Sequence, residues 1–144
     1  MSRRERRTNA EKEFFAARPI KPDLGILGRK WALLILADIG LRRVDRFSSL
    51  LRSNPEINPR ILSRRLKELE KDGIIKKTED STDGIVRWAL TEKGEDSLPI
   101  LMRLIAFGSK WYARDVFEDK VPRSLNEIFT RPEAQEIVQK LYES

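Results

Sequence analysis

The chain has 144 residues, 29 of them Lys or Arg and 23 Asp or Glu, with neither Cys nor His and a net charge of +6. That length suits one domain with appendages, and the two missing residue types exclude disulfides, thiolate or imidazole metal sites, cysteine nucleophiles and a histidine base or pH switch. The positive surplus fits an anionic partner, although an ordinary salt-laced surface would carry the same balance.

No apolar run approaches the roughly 18 residues needed to cross a bilayer, and the charged start Met1-Ser2-Arg3-Arg4 has no apolar segment behind it. The expectation is a cytoplasmic protein without membrane contact. Thr8 or Asn9 can cap a short helix through Ala17 that carries Phe14 and Phe15, before Pro19 and Pro22 break the pattern. Residues 1–17 therefore read as a basic arm with a docking helix. Arg3, Arg4, Arg6 and Arg7 suit either a flexible arm that follows a groove or a merely solubilising end.

From Gly28 to Gly40 the sequence is apolar nearly all round after a basic start, the pattern of a central core helix. Asp45 reads as the N-cap of a short helix through Arg52, with Phe47, Leu50 and Leu51 as its apolar face. Ser53-Asn54-Pro55-Glu56 cannot continue that helix. Asn58-Pro59 starts the next one, Asn as cap and Pro at the first position, and Gly73 closes it. Ile74 to Thr78 and Ile85 to Leu90 read as two strands joined by a turn-rich segment, a hairpin.

Thr91 then caps a long helix in which Leu98, Leu101, Met102, Ile105 and Tyr112 form one stripe, widened by Leu104, Phe107 and Trp111. So broad a stripe needs more than one neighbour. Trp31, Trp88 and Trp111 sit in apolar settings and read as core. In the tail, Ser124 to Glu127 and Thr130 to Glu133 both have capping-box spacing, and a last helix carries Ile137, Val138, Leu141 and Tyr142 on one side.

Helix, tight turn, helix, hairpin, long helix is the order of a winged helix-turn-helix: mainly α with a small β-hairpin, in the α+β class. The expected organisation is an arm and short helix over 1–17, a winged domain with its long helix over 18–117, and a helical extension over 118–144. With each residue set about 100 degrees on from the last, Leu62, Leu66 and Leu69 cluster on one side of the second helix of the pair. Arg60, Arg64, Lys67 and Lys71 cluster opposite, with Ser63 beside them. A solvated helix face would look the same in isolation, but a basic row directly after a helix-turn signal points to groove recognition.

Arg60, Ser63 and Arg64, near the start of that helix, are placed to read base edges, because Arg can bond guanine O6 and N7 together. Lys67, Lys71, Lys76, Lys77 and Arg87 are placed to hold phosphates. Between Arg60 and Lys77 seven basic residues face three acidic ones, so most of the chain's net charge sits on the element that would meet DNA. Arg65 points sideways and reads as a side chain lying over the core. Glu79, Asp80 and Asp83 at the hairpin tip would repel phosphates.

These residues resemble the HxlR-type family of bacterial and archaeal winged-helix regulators, from about Arg18 to Trp111. The resemblance is carried by Gly28-Arg29-Lys30-Trp31 before the apolar helix, Arg46-Phe47 with Leu50, and the run from Ile57 to Leu69. Asp72-Gly73-Ile74-Ile75 and Trp88-Ala89-Leu90-Thr91-Glu92-Lys93-Gly94 complete it. It implies a homodimer held by N- and C-terminal helices and bound to a pseudo-palindromic operator in double-stranded DNA. On that reading Phe14, Phe15, Leu98, Leu101, Met102, Ile105 and Tyr112 form the dimer face, and closed two-fold symmetry is the commonest assembly. A monomer that buries the stripe under its own tail is the alternative.

Where the family often carries Cys-Pro, Arg18-Pro19 stands here, which rules out sensing through that thiol. The family's basic residue near the hairpin tip is replaced by Asp83-Gly84-Ile85, which puts strong wing contacts in doubt. No cofactor or metal is indicated. Two other readings remain: a winged-helix protein-interaction module, and a regulator whose small-molecule effector binds at the dimer interface against Trp111, Phe107 and Phe14. No set of acid, base and nucleophile marks an enzyme.

Overall fold

The computed structural model describes residues 2–17, 25–78 and 82–143. Helix α1 runs Arg3–Ala17 and so begins ahead of Thr8 and Asn9, which lie inside it. Its Arg, Glu, Ala and Lys residues are good helix formers and extend the helix upstream of the capping residues. The side chains of Phe14 and Phe15, and the break at Pro19 and Pro22, lie outside the described residues.

A 3-10 turn at Gly25–Gly28 precedes α2, Ala32–Gly40. The core helix thus starts later than Gly28, because Trp31 takes a left-handed backbone with φ of 77° and interrupts it. Ile35, Leu36 and Ile39 of α2 are buried at the centre of the molecule, whereas Leu34 faces outward.

Helix α3 spans Phe47–Ser53, with Arg46 and not Asp45 at its N-cap position. Residues 45 and 46 are extended because they join the sheet: the Asp45 carbonyl accepts from Trp88 N–H at 2.8 Å, and Arg46 bridges Arg87. Helix α4, Pro59–Lys71, has both expected ends. Asn58 Oδ1 accepts from Ile61 N–H at 2.8 Å. At the other end Gly73 has φ of +75°, its N–H bonds Glu70 O, and Ile74 N–H bonds Leu69 O, the paired pattern of a left-handed helix stop. Asn58→Ala should lower stability by about 1 kcal/mol. A drop in urea midpoint at unchanged slope would register that loss.

Strands β1, Ile75–Lys77, and β2, Trp88–Leu90, pair antiparallel in the register Ile75 with Leu90 and Lys77 with Trp88. Both are shorter than the runs Ile74 to Thr78 and Ile85 to Leu90: the first starts at Ile75 because the Ile74 amide is committed to the end of α4, and the second starts at Trp88, with Arg87 before it bridging Arg46. The long helix expected from Thr91 is two helices, α5 at Glu92–Glu95 and α6 at Leu98–Trp111. Thr91 caps only the first, accepting from Gly94 N–H at 3.1 Å. Pro99 has no N–H to return to Glu95, so the chain turns at Asp96 and Ser97 and starts again.

Beyond α6 come α7, Ala113–Val116, then α8, Leu125–Ile128, and α9, Pro132–Glu143. The Ser124 and Glu127 capping box is present in full. Helices α8 and α9 pack on α6, and Leu125, Ala134, Val138 and Leu141 enter the same apolar cluster as the winged domain. The tail is also tied down by polar contacts, from the Arg131 guanidinium to the Leu41 carbonyl and from Arg103 Nη2 to the Leu141 carbonyl at 3.1 Å.

That packing corrects the expected dimer stripe. Leu98, Leu101 and Met102 are buried inside the chain's own core, and Ile105 is half-buried against it. Only Tyr112 of that group is exposed. Another face of α6 is uncovered instead: Ile100, Leu104, Phe107 and Trp111, spaced four, three and four apart, are each between 50 and 65% exposed. Trp111 is therefore not a core residue, Trp31 is half-buried, and Trp88 alone of the three tryptophans is buried as expected.

Candidate nucleic-acid interface

Helix α4 turns Leu62, Leu66 and Leu69 into the core, each at most 2% exposed. With a helical repeat of 3.6 residues, that anchoring fixes what points out. Arg60, Arg64, Lys67 and Lys71 are all exposed, and Ser63 beside them is half-buried. Among the described residues none of these four cations is in an ion pair.

Two of the three acidic residues of the segment are paired with other cations, while Glu70 is exposed. Glu68 Oε1 lies 2.8 Å from Arg65 Nη1, and Asp72 Oδ2 lies 3.4 Å from Lys93 Nζ. Arg65 itself is 13% exposed and donates from Nε to the Lys30 carbonyl at 2.8 Å, so it locks α4 to the start of α2 and leaves the ridge to its neighbours. Two of the segment's three carboxylates, Glu68 and Asp72, are thus engaged with cations other than the four of the ridge. A desolvated helix would not tolerate such a row, but an exposed one keeps it hydrated and open to an anionic partner.

The turn before α4 is held by a buried carboxylate. Asp38 on α2 accepts from Asn54 Nδ2 at 2.8 Å and from Arg42 Nη1 at 2.9 Å, and Asn54 Nδ2 also reaches the Leu50 carbonyl. Arg42 Nη1 donates to Ser53 Oγ as well, at 2.6 Å. Fixing Asn54 to the core helix sets the angle at which α4 leaves the turn.

On the hairpin, Lys76 and Lys77 are exposed, and Lys77 Nζ stands 5.5 Å from the centre of the Trp88 ring. Arg87 is engaged: its two terminal nitrogens fork the two oxygens of Asp83 at 3.1 and 2.8 Å. The structure thus brings Arg60, Ser63, Arg64, Lys67 and Lys71 onto one outward face of α4 and leaves Arg87 with a partner of its own.

Two cations escaped the sequence reading. Arg46 Nη2 and Arg52 Nη2 both point at Ser49 Oγ, each at 3.4 Å, with no carboxylate in an ion pair with either among the described residues. Their spacing of three residues to either side of Ser49 on a short helix was the available signal. Against it stood the stronger apolar pattern of Phe47, Leu50 and Leu51 in the same stretch.

The HxlR-like helix-turn-helix family model matches residues 26–116. The chain is 32% identical over 91 residues to the uncharacterised HTH-type transcriptional regulator YdzF of Bacillus subtilis, covering 62% of this chain and 84% of that one. An uncharacterised HTH-type regulator of Methanothermobacter thermautotrophicus is 36% identical over 86 residues, 59% of this chain and 65% of its own. Among solved structures, a possible HxlR family transcriptional factor from Thermoplasma volcanium superposes with a TM-score of 0.54 at 34% identity, over 63% of this chain and 82% of that one. The redox regulator HypR in its reduced form gives 0.57 at 30% identity, over 70% and 98%.

Proposed function

The chain belongs to the HxlR-like helix-turn-helix family of transcriptional regulators, and from that premise we propose that it binds double-stranded DNA sequence-specifically as a homodimer, with α4 of each copy in a major groove. The observation that carries this reading is the capped helix α4, exposed along a ridge of four cations that have no ion-pair partner among the described residues. Arg60, Ser63 and Arg64 occupy its first half, where side chains of a recognition helix reach base edges. Lys67, Lys71, Lys76 and Lys77 hold phosphates. Arg46 and Arg52 join them from α3, the helix of the pair that crosses the backbone.

Pairing is supported by the uncovered face of α6, where four large apolar side chains stand in one row. Exposed apolar patches of that kind mark an association surface. A second copy fits it because a two-fold contact places the same row on both sides. Paired recognition helices would then meet half-sites about 34 Å apart on a pseudo-palindromic operator.

Selection of bound fragments from random DNA tests the reading, and a dyad-symmetric motif with half-sites about one turn apart is the expected yield. With that operator in hand, Arg64→Ala should cost roughly 1 to 3 kcal/mol and relax base preference at one position. Lys71→Ala should weaken cognate and random duplexes alike and lower the salt slope by about 1. Equal losses on both duplexes for Arg64→Ala would reassign that side chain to the backbone.

A further inference from the structure

Arg87 and Asp83 close on each other across the return of the hairpin. Arg87 Nη1 donates to Asp83 Oδ1 at 3.1 Å and Nη2 to Oδ2 at 2.8 Å. Two parallel N–H bonds from one guanidinium are what Arg offers a carboxylate or a phosphate, because both anions present two oxygens at a matching spacing. The carboxylate cannot swing away freely, since its Oδ1 also accepts from Ile85 N–H at 3.0 Å. Arg87 is anchored too: its carbonyl accepts from Thr78 N–H at 2.9 Å, and its backbone bridges Arg46. The hydrogen bonds from Arg87 first, and then from Ile85, hold the Asp83 carboxyl at about 2, so it stays ionised at any working pH.

We propose that Arg87 is a latent phosphate site, closed by Asp83 acting as a built-in phosphate mimic, so that the return arm of the hairpin makes no phosphate contact of its own. This rests on the DNA-binding reading above. Engaging a phosphate would exchange one anionic partner of Arg87 for another and leave Asp83 facing a polyanion. The exchange gains little, and the exposed carboxylate then repels the backbone. The charge of Asp45 adds a weaker attraction that also favours the charged Arg87. Lys76 and Lys77, exposed on β1, are the cations of the hairpin left for DNA. The device keeps affinity below what the hairpin's own cations could supply.

Salt titrations of duplex binding by the full chain, its Asp83→Asn and Arg87→Gln variants and the double variant test this, with thermal melts to confirm folding. Asn keeps the acceptor for Ile85 N–H while removing the charge. Asp83→Asn should steepen the salt slope by about 0.9 per wing and raise affinity for cognate and random duplexes roughly eightfold per wing at about 0.1 M salt, the counterion release of one phosphate. Arg87→Gln alone should not raise affinity, because it leaves the Asp83 carboxylate uncompensated, and the double variant should return to within about twofold of the unsubstituted chain. A double variant that binds as tightly as Asp83→Asn, or an unchanged slope for Asp83→Asn, would overturn the proposal. If the unsubstituted chain binds no duplex even at low salt, the DNA-binding reading itself fails; binding without coupling between the two positions sinks only the latent site.

Discussion

On the proposed dimer, replacing Leu104 and Trp111 together by Glu should leave the fold intact, convert the protein to a monomer and lower its affinity for an operator by about 100-fold or more. Both side chains are at least half exposed in the chain, so charging them removes nothing from its core. Across a two-fold contact the same substitution places like charges opposite each other in an apolar seam, where desolvation is costly. The loss on DNA follows because the second half-site is then no longer delivered at high effective concentration, a gain typically of 10² to 10⁴. Sedimentation of both proteins at micromolar concentration reads the assembly, and circular dichroism reads the fold. Met102→Glu is the contrasting variant: Met102 is fully buried among the chain's own helices and its substitution should unfold the domain before it unpairs anything. A double variant that stays dimeric would move the contact elsewhere, and a monomeric unsubstituted chain would remove it.

The contrast between Leu104 and Met102 shows what the sequence could and could not disclose. Local signals were legible: Asn58 before Pro59 and Gly73 after Lys71 fix the ends of α4 through bonds that span only a few residues. The leucines of α4 and the cations opposite them follow from helical repeat alone, so the candidate interface could be drawn before the fold was known. The stripe on α6 was visible as apolar, but periodicity does not say which neighbour covers which edge. Leu125, Val138 and Leu141 of the tail took the edge that holds Leu98, Leu101 and Met102, and left Ile100, Leu104, Phe107 and Trp111 outside. Pairings across a loop were equally hidden. Arg87 looked like a free cation on a strand until Asp83 closed on it, and Asp45 looked like a cap until its carbonyl went to Trp88. The left-handed turn at Trp31 had no signal, since a bulky residue seldom adopts it.

Gly94→Ala should destabilise the domain by about 3 kcal/mol or more, because the added carbon meets backbone that cannot move aside. Thr91 binds the end of α4 to the start of α5: its N–H bonds the Ile74 carbonyl at 3.0 Å, and its hydroxyl reaches the Ile74 and Gly73 carbonyls. Those bonds draw α5 onto the backbone at Ile74 so closely that a Cβ at position 94 would lie 2.1 Å from the Ile74 oxygen. The obstacle is backbone, held in turn by β1 and the cap of α4, so it cannot rotate aside as a side chain would. Relief requires α5 to lift, which breaks the Thr91 bonds and loosens β2 from β1. Gly73→Ala separates this clash from simple backbone preference. Gly73 also has an unusual φ, +75°, but open space around it, so alanine there should cost only about 1 kcal/mol. Chemical denaturation of the two variants side by side should place Gly94→Ala well below Gly73→Ala. Equal losses would mean that α5 moves away at little cost, and that the close approach at Ile74 does not hold the hairpin to the helices that present α4.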